Sequence, residues 1–454
     1  MPLSAALAQE GGEGGGNNAA EAQANAEAIA AAQKAAAPYL TPGMAGKVKS
    51  AIEKSFLKPE TAAQTVEVIE KDKAKRGERP GFLGIPGAPE IAWYWGFLWA
   101  IWVGWIFSTV GAFGGVMAGV GHISIFGLGN YAKSFGKENP INKMVTDSIR
   151  VSNQWLVGLS AFISAINYYR MGRLVLPLGV CLAIGSVAGS YLIPELTAGK
   201  VSLKAYQGYF GLCVLVLGCF LLYQISPKGA ASQKKAKEAA KEFEKARTAG
   251  EAADRGVKVI EGSYGGMFLA LAITVLGPLW ASVAHKAFPD LAWIAIVLAA
   301  AGVIMGFVVT AAKTVRFTFY GVEFDFKGYL PIVGGLFIAA LASFLGVGGG
   351  FLFVPFLTSV AGLPMFLVAG TSGLAVLVGM IVSIFTYMVS KGVAVEWGFI
   401  AMELVGIFVG SMIGPRTSKF IPDKGLKIIF IVLAFYVGLR YALKGFAPQF
   451  WPLP

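Results

Sequence analysis

Residues 341–388, LASFLGVGGGFLFVPFLTSVAGLPMFLVAGTSGLAVLVGMIVSIFTYM, decide the fold. The stretch carries no Asp, Glu, Lys or Arg, yet it does not read as one plain membrane helix. GVGGG at 346–350 interrupts the apolar run, and each glycine costs about 1 kcal/mol against alanine inside a helix. In hydrocarbon a broken backbone survives only where protein or a water-filled cavity satisfies its polar groups. Such a break turns N–H groups and helix ends inward, where they can hold an anion. Pro364 and Thr371-Ser372 then start the next helix and add hydroxyls.

Working outward, the same pattern occurs earlier in the chain. Ser343-x-x-Gly346-x-x-Gly349-Gly350 in ASFLGVGGGF matches Ser108-x-x-Gly111-x-x-Gly114-Gly115 in FSTVGAFGGV. Pro140 precedes Ser148 by the interval that separates Pro364 from Ser372. Gly185-x-x-x-Gly189-Ser190-x-x-x-Pro194 matches Gly406-x-x-x-Gly410-Ser411-x-x-x-Pro415. Three matches in one order point to a duplication, a common build for secondary transporters. The Gly-x-x-x-Gly pairs read as close helix packing, and the two glycine breaks as site-forming.

Composition agrees. The chain has 454 residues, 56% hydrophobic and 14% charged, whereas soluble domains average about 25% charged. Apolar stretches of about 20 residues suit a ~30 Å hydrocarbon layer. Ten such spans are counted, near 91–116, 150–169, 172–193, 203–225, 265–284, 291–312, 329–352, 371–390, 394–415 and 425–443. The fold class is therefore an all-α polytopic membrane protein of 8–10 transmembrane helices. It has two homologous four-helix repeats with broken Gly-rich helices, plus a strand-like hairpin. The division is a flexible cytoplasmic tail (1–85) with one helix around Gly46–Phe56, repeat 1 (86–225), a charged cytoplasmic linker (226–262), an inserted membrane hairpin with strand-like flanks at 257–261 and 315–327 (263–328), and repeat 2 (329–446). Four spans before the linker put tail and linker on the same, cytoplasmic, side of the inner membrane, and the N-terminus lacks the features of a secretory signal.

The net charge is +12, but the basic residues form no single run, which argues against nucleic acid and leaves an anionic solute. Cys181, Cys213 and Cys219 have no CxxC spacing and read as small buried hydrophobes. With two histidines, His122 and His285, no metal cluster can be built from imidazoles, and no Walker lysine follows a glycine loop. No enzyme constellation, cofactor or metal is expected.

Residues 341–388 resemble the second-repeat signature of the sulfite exporter TauE/SafE family, the TSUP permeases. FSTVGAFGGVMAGVGHISIFGLGNYAKSF (107–135) with INKMVTDSIRVSNQ (141–154) resembles the first repeat of a branch of it. The resemblance covers roughly residues 80–454. It implies a duplicated four-helix unit that moves sulfite, organosulfonates or related sulfur anions. The long tail, the linker and the hairpin at 265–312 depart from the family pattern, as does AFGGV in place of a full GGG run.

The candidate substrate site comprises Ser108, Gly111, Gly114, Gly115, Thr146, Ser148, Arg150, Asn153, Ser343, Gly346, Gly348, Gly349, Gly350, Thr371 and Ser372. Arg150 is a fixed positive charge that attracts substrate, or else snorkels or pairs with Asp147. Asn153, Gln154 and Asn167 add amides without forming one clean stripe. Glu403, within GFIAMELVGIFVG, is the intramembrane carboxylate for a coupling proton, against a purely structural role. His122 and Asp147 are weaker proton candidates, His122 reading more as loop packing, and Glu323 and Asp325 read as solvated. The leading function is a secondary transporter of small sulfur anions, as exporter or permease. A membrane scaffold or sensor and an anion channel are the alternatives, and a homodimer is compatible with either. Gly349→Leu is expected to abolish flux while membrane insertion, followed by fractionation, stays intact.

Overall fold

In the computed structural model the structure describes residues 18–110, 113–226, 234–248, 256–261, 264–287, 293–311, 314–346, 350–359, 361–418, 420–421, 423–447 and 450. Alanine is the best helix former, and the Ala-rich N-terminal region is helical where a flexible tail with a single helix was expected. It forms α1 (Asn18–Ala36), α2 (Gly46–Ser55) and α3 (Pro59–Arg76). Val48, Ala51 and Ile52 of α2 and Val68 and Ile69 of α3 are buried. Spacing at three and four gives α2 an apolar face for the core, and α3 continues such a face from the buried Thr61 and Thr65.

Repeat 1 follows as α4 (Trp93–Val110), α5 (Gly114–Val120) running into a π-turn at Gly121–Ile125, α6 (Leu128–Ser134), α7 (Pro140–Arg170), α8 (Leu176–Thr197) and α9 (Leu203–Ile225). The linker contains α10 (Lys234–Thr248) and strand β1 (Lys258–Glu261). The inserted hairpin is α11 (Tyr264–Ala287) and α12 (Trp293–Ala311), followed by β2 (Thr314–Phe319) and β3 (Val322–Lys327). Repeat 2 is α13 (Tyr329–Leu345), α14 (Gly350–Ser359), α15 (Met365–Phe385) with a π-turn at Thr386–Ser390, α16 (Trp397–Ser418) and α17 (Asp423–Phe446). The strand-like flanks pair as one antiparallel sheet, β1-β2-β3. Tyr320 and Gly321 both have positive φ, the geometry of a two-residue hairpin turn. Phe317, Phe319, Phe324 and Phe326 face inward, while Glu323 and Asp325 are exposed, as expected of solvated residues.

Among the described residues, Leu176–Thr197, Tyr206–Ile225, Met365–Ser390 and Trp397–Thr417 are each long and apolar enough to cross a membrane. Shorter apolar helices, including Gly114–Ile125 and Tyr329–Leu345, accompany them. The protein is a multi-pass membrane protein. Trp93, Trp95, Val216, Val432 and Phe446 are exposed on its flanks, where lipid would cover them.

The repeats are inverted. Equivalent helices meet antiparallel: Gly370 of α15 packs on Tyr168 of α7, while Gly158 packs on Met380. Likewise Gly211 of α9 sits against Ala442 of α17, and Gly218 against Ala434. A two-fold axis in the membrane plane generates this arrangement. The same axis lays each broken helix parallel to the third helix of the other repeat. Gly406 and Gly410 of α16 meet the backbone of Phe97 and Ile101 on α4, and Gly185 and Gly189 of α8 meet Ile332 and Leu336 on α13. The Gly-x-x-x-Gly pairs therefore serve close packing, as their spacing suggested.

Span 91–116 does not cross the membrane as one piece. Trp99 Nε1 on α4 donates to Met117 O at 3.0 Å, and Gly114 lies on Phe107, so α5 turns back along α4. Tail and linker, expected on one side, contact opposite ends of α7 and lie at opposite ends of the bundle. End A holds the tail, where Asn139 Nδ2 donates to Thr65 Oγ1 at 2.9 Å, and the Glu195–Lys391 ion pair. End B holds the linker and sheet, where Val257 N donates to Gly172 O at 2.8 Å and Phe243 packs on Phe366 at 4.5 Å. Among the described thiols Cys181 is buried, Cys213 half-buried and Cys219 exposed, and all are free.

A side chain at Gly410 would overlap the Ile101 carbonyl. Gly410→Leu is expected to lower the thermal midpoint of the detergent-solubilised protein, by an overpacking cost of about 1–3 kcal/mol. Gly362→Ala, at a position with open space, meets no such backbone clash. Because its positive φ of 62° strains a side chain regardless, its loss should be the smaller of the two.

Candidate functional site

A charged side chain inside a membrane segment is costly and needs partners. Arg150, on α7, is completely buried. One guanidinium nitrogen donates to Asp147 Oδ1 at 2.9 Å, and another donates to Ser343 O at 3.0 Å and Thr197 Oγ1 at 3.2 Å. Asp147 Oδ2 accepts from Gly199 N at 2.6 Å. The guanidinium also lies over the rings of Tyr387 at 5.1 Å and Phe344 at 5.8 Å. Arg150 thus pairs with Asp147, one of the alternatives its sequence position allowed, and does not snorkel.

The break in repeat 2 is built directly on this arginine. Gly346 has φ of 62°, the left-handed region that favours glycine. A Cβ there would lie 2.8 Å from Arg150 Cβ. Arg150 Nε keeps no hydrogen-bond partner, and neither amide atom of Gln154 has one. Asp147, Arg150, Asn153 and Gln154 occupy one helix face at spacings of three and four, a polar stripe that does not extend to Asn167. Asn167 lies apart, its amide near Met412 Sδ at 3.7 Å.

Asn153 leads to a second buried group. Its Oδ1 lies 2.5 Å from His122 Nδ1, and His122 Nε2 lies 2.9 Å from Glu403 Oε2. Histidine and carboxylate are both fully enclosed, and Glu403 Oε1 is without a partner. The π-turn that carries His122 widens the helix there, a device frequent at functional sites. His122 is therefore not a loop-packing residue. Reading along the sequence missed this pair because 281 positions separate its members. The available signal was that each is an isolated ionisable group in an apolar stretch. Tyr206 of α9 closes the gap between the two clusters, donating to Leu345 O at 2.5 Å.

The other candidate residues divide between the two ends. Thr146, Ser148, Arg150, Asn153, Ser343, Gly346, Gly350 and Glu403 lie toward end A. Ser108, Gly114, Gly115, Thr371 and Ser372 lie toward end B. The flanks of the first break touch Tyr168, whose hydroxyl donates to Ser108 O at 2.9 Å. Tyr168 and Arg150 are 18 positions apart on one helix, or about 27 Å at 1.5 Å per residue. The described flanks of the two breaks meet α7 at different heights, near Tyr168 and near Arg150. Several hydroxyls are also engaged locally. Thr146 donates to Asn142 O at 2.7 Å, Ser108 to Gly104 O at 2.7 Å, and Thr371 accepts from Val175 N at 3.1 Å. Gly111, Gly348 and Gly349 lie outside the described residues. At end B, Arg173 is buried beneath Phe366 and Phe243, 5.4 and 5.2 Å from their centroids.

Two cavities approach the polar groups from end A, and the tail walls both. One of about 300 Å³ is lined by Lys47, Lys54, Lys143, Lys391 and Asp147. The other, about 520 Å³, lies between α3 and α6 and reaches Phe126, whose ring meets those of His122 at 6.0 Å and Phe399 at 5.2 Å. Among the described residues no group of His, Cys, Asp and Glu is arranged to hold a metal ion.

Residues 263–441 match the model of a family described as Sulfite exporter TauE/SafE, the family the glycine-rich stretch resembles. The match takes in α11 and α12, so the hairpin read as an insertion lies inside it. It does not reach repeat 1, which is tied to repeat 2 by the internal symmetry. No curated protein matches the chain, and no solved structure does.

Removing one member of a buried ion pair leaves the other uncompensated, a loss of about 3–5 kcal/mol. Arg150→Met is expected to destabilise the protein by that order, and adding Asp147→Leu should recover most of it, as read from detergent-resistant thermal unfolding.

Proposed function

We propose that the protein is a secondary transporter of small sulfur-containing anions, sulfite or organosulfonates, across the inner membrane, with end A and its tail in the cytoplasm. The observation that carries this reading is the buried Arg150 guanidinium seated on the break of the opposite repeat, with Nε–H uncommitted. A fixed positive charge in a dry site attracts an anion far more strongly than one in water. Asp147 and Gly199 hold the guanidinium in place, while Gln154 offers amide donors one turn away. The family match at residues 263–441 favours sulfur anions over other anions.

In this reading His122 and Glu403 carry the coupling proton. A histidine and a carboxylate sharing a hydrogen bond can take up a proton from one side and release it to the other. Asn153 belongs to both groups, so occupancy at Arg150 and protonation of the pair are coupled through one side chain. Movement of one repeat against the other along α7 and α15 would open the polar stripe to each face in turn.

Proteoliposomes loaded with sulfite provide the test. Wild-type protein is expected to give saturable efflux that responds to a pH gradient. Glu403→Gln should retain flux but lose that response, and the Arg150→Met/Asp147→Leu double variant should fold yet transport nothing. Unitary currents would instead identify a channel. Absence of flux for every sulfur anion, together with specific retention of a soluble partner, would identify a scaffold.

A further inference from the structure

The two cavities at end A lead to different groups. The smaller has four lysines and Asp147 in its wall, so it opens on the Arg150 cluster. The larger, of about 520 Å³, carries both signs: Glu67, Lys71, Asp72, Lys75 and Arg76 of α3. Asp72 and Arg76 are paired at 2.9 Å, and the charges nearly cancel, so little field remains to gather an anion. Asn130, Tyr131 and Ser134 of α6 complete the polar wall. The Tyr131 hydroxyl is buried and has no hydrogen-bond partner in the protein. A polar cavity many times the ~30 Å³ share of one water molecule fills with water.

The same wall contains the half-buried Phe126. Its ring meets His122 at 6.0 Å and Phe399 at 5.2 Å, and Phe399 meets His122 at 5.8 Å. Phe126 thus belongs both to the cavity and to the ring cluster around the imidazole, of which only 1% is exposed. Behind it His122 Nε2 lies 2.9 Å from Glu403 Oε2. Among the described residues Glu403, from α16, is the titratable group that meets His122. Asn153 from α7 is neutral, α4 has no charged residue, and Lys133 of α6 faces a separate recess.

We propose that the larger cavity is the water-filled route by which protons reach the His122–Glu403 pair from end A, with the Phe126 ring as its gate. The route rests on the reading of that pair as the proton carrier, and it is separate from the anion's approach to Arg150. An apolar constriction bars ions by staying dry, as in channels. When the ring swings aside, a hydronium ion gives its proton to the pair and becomes neutral water, and the pair gains one positive charge. With the ring in place that proton is kept from returning to end A.

The chain has two histidines, His122 and His285. Exchange of the imidazole C2 hydrogen in deuterated water, read by mass spectrometry on the full-length protein in nanodiscs, therefore follows His122 with His285 as internal reference. Phe126→Ala is expected to raise the His122 rate at least tenfold, whereas Phe126→Leu, which keeps apolar bulk, should stay within twofold of wild type. Asn130→Trp, on the exposed cavity wall, should lower the rate at least threefold. It should also slow pH-driven sulfite efflux from proteoliposomes while the half-saturating sulfite concentration stays unchanged. An unaltered His122 rate in Phe126→Ala with a normal elution profile would overturn the gate whatever the flux. Should Phe126→Ala misfold, wild-type exchange in Asn130→Trp would overturn the route. Wild-type efflux that ignores the pH gradient, with exchange still set by Phe126, would overturn the carrier reading, and the route with it.

Discussion

Hydrocarbon offers nothing to hydrogen-bond, so a helix that breaks inside a membrane must be backed by other protein along its length. Here the backing is a backbone-to-backbone approach. The glycines of α16 lie on the main chain of α4, and those of α8 on that of α13. Glycine permits contact that any side chain would prevent, and such contact is a principal source of helix association in lipid. Each repeat therefore supplies the support for the other's discontinuity. Neither half could hold its broken helix alone, which ties the duplication to the existence of the breaks.

That mutual support is symmetric, but the chemistry laid on it is not. Arg150 corresponds in the duplication to Leu374, and Glu403 to Leu182. Ionisable groups accumulate toward end A, whereas the positions matching Arg150 and Glu403 are leucines. End B instead carries Arg173 under a lid of aromatic rings from α10 and α15. Two-fold architecture thus positions one polar stripe, on α7, between a break from repeat 2 and a π-turn from repeat 1.

Much of this was legible in the residues. The glycine breaks, the three registered matches, the packing role of Gly-x-x-x-Gly and the strand-like alternation of VRFTFYGVEFDFK all reappear as structure. Orientation was not legible, because an apolar stretch that enters and leaves by one face has the same composition as one that crosses. Counting 91–116 as a crossing changed the parity of everything up to the linker. Nor could the sequence show that the flanks of the two breaks meet α7 18 positions apart, at Tyr168 and Arg150, since that separation follows from inversion. The His122–Glu403 contact was hidden by separation along the chain, and the tail's packing by its low-complexity composition, which suits a solvated helix as well as a docked one.

The opposed placement of tail and linker has a compartmental meaning. The α2–α3 segment and the α10–sheet unit face different aqueous spaces, so no single soluble factor could touch both without crossing the bilayer. A soluble factor bound to one of these units would therefore act on one end of the bundle alone.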